Sequence, residues 1–174
     1  MKAQAIPVPE LVQAAVRSAL GDRASLIASA LRLHLLGWKN LLSSTKSLAE
    51  AEEVGWRVLL SDSMGHVEAS ADVEVDPNGG VRFAGLEEGP FPPLIAEAVA
   101  ERNAATDWAV VLAPSVRSVA VWSPSRKQVV ALEAGGTDFR DLSEKAYLSE
   151  LVSEAKRMGE ILPDSPFTPT PVTR

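Results

Sequence analysis

Between residues 62 and 76 the chain carries Asp62, His66, Glu68, Asp72, Glu74 and Asp76, its densest collection of groups able to do chemistry. Carboxylate oxygens suit hard cations such as magnesium, and an imidazole suits a transition metal. A metal-assisted hydrolase or a small-ligand sensor would be built here, with Asp62, His66 and Glu68 as the candidate ligands. The spacing restrains that chemistry. From His66 to Asp76 polar and apolar residues alternate without a break, which is the period of a strand. Every second side chain on a strand lies about 6.5–7 Å from the next, so two carboxylates can straddle one ion but the row cannot converge on it. Arg57 and Arg82 are the cross-strand partners expected opposite the row, and they neutralise carboxylates rather than assist a cation. The acidic row therefore reads first as a solvated face.

Other chemistries are poorly supplied. The chain has no cysteine, which excludes thiol catalysis, disulfides and thiolate metal sites. His34 and His66 are the only histidines, and no G-x-S-x-G elbow accompanies either. The glycines form neither G-x-G-x-x-G nor G-x-x-x-x-G-K-[ST], so no phosphate cradle is indicated and no cofactor is expected. A formal charge of −6 and a pI near 5.0 disfavour nucleic acid and anionic membranes as partners. No apolar run approaches the ~20 residues needed to cross a bilayer, and residues 1–10 lack the apolar core of a signal peptide. A cytoplasmic protein is the expectation.

The elements that must position these residues follow from periodicity and punctuation. Val67, Ala69, Ala71, Val73 and Val75 form the apolar face of the alternating strand, which is expected to have one face on a core and one in water. Asp76-Pro77-Asn78-Gly79-Gly80 is turn chemistry leading into a strand over 81–86, and residues 56–61 form the strand before it. A helix is predicted over 93–103. Strands follow at 108–113, 118–122 and 128–132, the last two joined by Ser-Pro-Ser-Arg-Lys, and a final helix spans 141–160. The fold class expected is α+β: an antiparallel sheet of two three-stranded meanders separated by a helix, with N-terminal helices and a C-terminal helix packed on it. A single domain is expected over 1–162, helical over 7–53 and sheet-containing over 55–160. A flexible tail is expected over 163–174, where four prolines fall in 12 residues.

A long second helix is predicted over 23–43, because Leu26, Ile27, Ala30, Leu31, Leu35, Trp38, Leu41 and Leu42 cover about half of a helical circumference. So wide an apolar arc needs more than one partner. His34, Leu35, Trp38 and Leu42 are the expected contact of a homodimer.

Residues 58–69, Val-Leu-Leu-Ser-Asp-Ser-Met-Gly-His-Val-Glu-Ala, followed by the Asp-Pro-Asn-Gly-Gly hairpin, resemble the type III secretion chaperone family, which opens a three-stranded meander with a D-x-x-G turn. The resemblance extends over about residues 55–160. It implies a small acidic homodimer that binds an extended segment of another protein. Roadblock and GAF-type regulatory domains share a similar order of elements and imply a scaffold or a sensor. The functional expectation is a non-catalytic protein-binding or regulatory domain acting as chaperone, adaptor or scaffold. The alternative is the hydrolase or sensor built on residues 62–76.

Overall fold

The computed structural model describes residues 8–24, 26–43, 45–102, 107–132 and 139–161. The proline-rich segment 163–174 lies outside them. Eight strands form one sheet: β1 (Ile27–Leu35), β2 (Glu52–Ser61), β3 (Val67–Val75), β4 (Val81–Glu88), β5 (Ala109–Ala113), β6 (Ser118–Ser123), β7 (Gln128–Leu132) and β8 (Phe139–Ser143). The helices are α1 (Glu10–Leu20), α2 (Trp38–Leu42), α3 (Phe91–Glu101) and α4 (Glu144–Ile161). The strand order is β4-β3-β2-β1-β5-β6-β7-β8. Two four-stranded antiparallel meanders thus meet at one seam, where β1 and β5 run parallel from Arg32↔Ala109 to Leu35↔Leu112.

The α+β class holds, but the sheet is mixed, and each meander gains a strand over the expected three. The largest correction concerns residues 27–35, a central strand rather than part of a helix. Leu31, Leu33 and Leu35 alternate with Arg32 and His34, which is strand spacing. Within residues 27–43 only the five residues of α2 are helical, after Gly37 breaks the run. The helical arc arose from adding the leucines of a two-sided buried strand to those of the short helix that follows. The expected start of the last helix at 141 is likewise corrected. Residues 139–143 pair with β7, and α4 begins after Ser143, whose hydroxyl accepts the Ala146 N–H as an N-cap.

Both faces of the sheet are covered. On the front, α1 lays Val12 and Val16 on Ala30, Trp56, Val58, Ala71 and Val73. On the same face of the other meander, α2 and α4 pack Leu41, Tyr147, Leu151 and Ala155 on Val111, Ala120, Trp122 and Val129. On the back, α3 sets Leu94, Ile95 and Ala98 over Leu31, Leu33, Leu59, Val110, Val121 and Val130. Full burial of a side chain such as Ile95 contributes about 1.5–3 kcal/mol. Pro92 and Pro93 in the first turn of α3 preset its φ where N–H groups have no intrahelical acceptor.

Because α3 also reaches β3 and β4, the row expected to face water is partly covered. Ser70 is fully buried and Arg57 is 3 % exposed. Val67 was expected on the same face as Val73. A β-bulge after Leu60 turns it to the back core instead.

Candidate functional site

A groove of about 780 Å³ runs along α4, walled on its other side by Thr45–Ser47 and by the turn between β6 and β7. Lys46, Lys127, Lys145 and Lys156 rim it, four of the six lysines in an acidic chain. Leu148 and Val152 line its apolar part. Lysine stems add further apolar surface while their ammonium groups stay in water. All four lysines are exposed, and among the described residues none of their ammonium groups has an ion-pair partner. Glu144 is the one carboxylate in the lining.

Glu144 organises both loops of the far wall. Its carboxylate Oε1 accepts the Ser47 hydroxyl and the Leu48 N–H, each at 2.6 Å, which places Lys46. Its own N–H donates to the Lys127 carbonyl at 2.9 Å. Ser47 also accepts the Ala49 N–H, and the Thr45 hydroxyl donates to the Asn40 carbonyl, so the hydroxyls of this wall are occupied. The β6–β7 turn is held from behind by Asp107, which accepts the Ser123 hydroxyl at 2.8 Å and the Ser125 N–H at 2.7 Å. Burial works to raise the Asp107 pKa, but the hydrogen bonds from Ser125 and Ser123 prevail and hold it below the usual carboxylate value. Lys127 itself has φ +52°, a left-handed conformation costly to a side-chain-bearing residue. Such strain persists only where the surroundings impose it. The groove is thus a pre-arranged cationic rim around an apolar strip. It suits an anionic, partly apolar ligand.

The sequence-predicted residues fall elsewhere. Asp62 serves its own turn, accepting the Met64 and His66 N–H groups, and the His66 backbone contact leads in holding its pKa below the usual range. The His66 Nδ1 lies 3.4 Å from Asp62. Glu68 is exposed on β3 beside a shallow hollow that Asp62 also lines. Among the described residues no group of three or more His, Cys, Asp or Glu side chains is placed to hold a metal ion.

Farther along the acidic row, Asp72 and Glu74 are paired with arginine. Arg57 donates through Nε and Nη2 to Asp72, both at 2.8 Å. Its Nη1 lies 3.0 Å from Glu87 without the angle of a hydrogen bond. Burial opposes the Arg57 charge, but Asp72 and then Glu87 outweigh it and raise its pKa. Glu74 pairs with Arg82 at one end of a second, acid-lined groove of about 770 Å³ that also takes in Glu52, Glu53 and Asp76. There Glu53 pairs with Arg32, and Asp76 accepts the Asn78 and Gly80 N–H groups of its own turn.

His34, Leu35, Trp38 and Leu42 do not share a helical face. His34 and Leu35 point to opposite faces of β1, whereas Trp38 and Leu42 belong to α2. His34 meets Trp122 edge-on at 5.5 Å with its Nδ1 buried and without a hydrogen-bond partner among the described residues. Burial lowers its pKa, against the raising influence of Glu53 and the Ala51 carbonyl. Trp38 packs against the core beneath α4, and Leu42 is half exposed.

The lysine rim escaped the sequence reading because its members are far apart in the chain. The one available signal was Lys145, Ser149, Val152 and Lys156 at helical spacing on α4. No helix among the described residues is long and apolar enough to cross a membrane. Comparison with protein-family models, with curated proteins and with solved structures finds no match to this chain.

Proposed function

We propose that this chain is a non-catalytic protein-binding domain whose working surface is the α4 groove, where it takes an acidic segment of a partner protein. The carrying observation is the gathering of four exposed lysines, without ion-pair partners among the described residues, around an apolar strip on a molecule of net charge −6. A charge concentration against the sign of the whole molecule favours encounter with acidic groups and selects against other surfaces. The strain at Lys127 and the double tie through Glu144 support the same reading, since they fix the rim before any ligand arrives.

A fluorescein-labelled oligoglutamate provides the test. The wild-type protein binds it with an affinity that falls as salt rises, and Lys127→Glu/Lys145→Glu abolishes binding while leaving the far-ultraviolet circular dichroism unchanged. Equal affinity in the double variant, or none in the wild type, removes the groove from consideration.

A further inference from the structure

Resting on that reading, we infer that the segment held in the groove is an acidic amphipathic helix of about three turns, lying along α4. The residues that α4 presents there are Lys145, Leu148, Ser149, Val152, Ser153 and Lys156. They stand at i, i+3, i+4, i+7, i+8 and i+11, one continuous stripe of the helix surface. Eleven residues at 1.5 Å each separate the two lysines by about 16 Å. The stripe is therefore cationic at both ends and apolar or small in the middle. Ser149 and Ser153 are exposed and short, which lets a second helix approach to the 8–10 Å at which ridges enter grooves. A matching helix carries carboxylates at both ends and apolar residues four apart between them.

The polar inventory of the groove argues against an extended segment. An extended chain binds by giving its backbone N–H and C=O groups to a free strand edge. Of the β8 residues only Ser143, the last, lines the groove, and its hydroxyl already caps α4. Across the groove, Ser47 is engaged by Glu144 and Ala49, and Thr45 by Asn40. The backbone groups of an extended ligand would be left largely unmet, at a cost a helix avoids by bonding internally. Lys46 and Lys127, whose segments are tied to Glu144 at the start of α4, add positive charge at that end of the groove.

Three synthetic peptides of one composition discriminate. The first places two glutamates at each end of a helix-forming middle with leucines four apart. The second gathers all four glutamates at one end. The third keeps the first arrangement but exchanges a central residue with a terminal proline. Titration into the full chain is expected to rank the first tightest, with the proline isomer weaker by about tenfold or more because it cannot stay helical. Lys145→Ala and Lys156→Ala each weaken the first peptide about two- to fivefold, and its helical circular dichroism rises on binding. Equal affinity for all three peptides overturns the helix while leaving the acid-binding groove standing. Absence of binding by every acidic peptide, oligoglutamate included, overturns both. Tighter capture of an oligothymidylate than of the first peptide overturns the helix in favour of a generic polyanion surface.

Discussion

The Ser47 hydroxyl donates to the Glu144 carboxylate at 2.6 Å across 97 positions of sequence, at the point where α4 begins. With the Leu48 N–H on the same oxygen, this contact ties the loop after α2 to the first turn of the last helix. Glu144→Ala leaves two donors without their charged acceptor and is expected to cost about 1.5–3 kcal/mol in urea denaturation. Glu144→Gln, which keeps an acceptor oxygen, is expected to lose less. Full stability in the alanine variant would show that the tie contributes nothing.

Lys127 separates stability from binding. Its φ of +52° imposes a left-handed cost of about 1–2 kcal/mol. Glycine is free of that cost but loses about 0.5–1 kcal/mol in chain entropy. Lys127→Gly is therefore expected to match or slightly exceed the wild-type thermal midpoint while weakening acidic-peptide binding. Lys127→Val, β-branched, is expected to lower the midpoint. Reversed stability ranks for the two variants would remove the strain argument.

The Arg57–Asp72 pair is expected to behave as a buried ion pair. Asp72→Ala leaves a guanidinium that is 4 % exposed with only the imperfect Glu87 contact, a loss of about 3–5 kcal/mol. The double variant Arg57→Met/Asp72→Leu removes both charges and is expected to recover most of that loss. A double variant no more stable than Asp72→Ala would contradict this account, as equilibrium denaturation can decide.

Gly55 cannot be replaced. At φ +154°, a Cβ there would sit 1.9 Å from the Val73 carbonyl oxygen on the neighbouring strand. Gly55→Ala must part β2 from β3 and is expected to give insoluble or unfolded protein. Gly65→Ala, in a turn with open space around it, is expected to remain folded with a smaller loss. Soluble, native-like Gly55→Ala would refute the close approach.

His34 predicts a pH effect whose sign follows from its surroundings. Burial holds its folded pKa below the ordinary histidine value of about 6.5, so the unfolded chain takes up the proton first as pH falls. Stability present above about pH 6.5 is therefore lost as pH descends toward the folded value, and this residue adds no slope above about pH 7.5. The urea midpoint is expected to fall between pH 7.5 and 5.5 more steeply in the wild type than in His34→Gln. Equal slopes would assign the loss to other groups.

The meander around β3 was legible because its alternation is strict: Ala69, Ala71 and Val73 are buried, while Glu68 and Glu74 are exposed. The pairing of Arg57 and Arg82 with the acidic row was legible for the same reason, since cross-strand neighbours follow from register. Burial of Ser70 was not, because it depends on α3, which crosses from elsewhere in the chain. β1 was misread because its alternation, Leu31-Arg32-Leu33-His34-Leu35, is only five residues long, and the apolar residues on either side of it, Leu26, Ile27 and Ala30 before and Trp38, Leu41 and Leu42 after, complete a helical arc. The lysine groove depends on three separate segments meeting, and no local pattern encodes that meeting.

The parallel seam has a consequence for how the chain is made. β1 through β4 each pair with the next strand in the chain, so the first meander needs only contacts among residues 27–88. The second edge of β1 stays open until Ala109–Leu112 arrive to pair with Arg32–Leu35. During synthesis that edge, bordered by Leu31 and Leu33, is a template for pairing with another nascent chain. Fragments ending near residue 102 should therefore aggregate through β1, and adding residues through β7 in trans should suppress it, a dependence that sedimentation of truncated chains can measure.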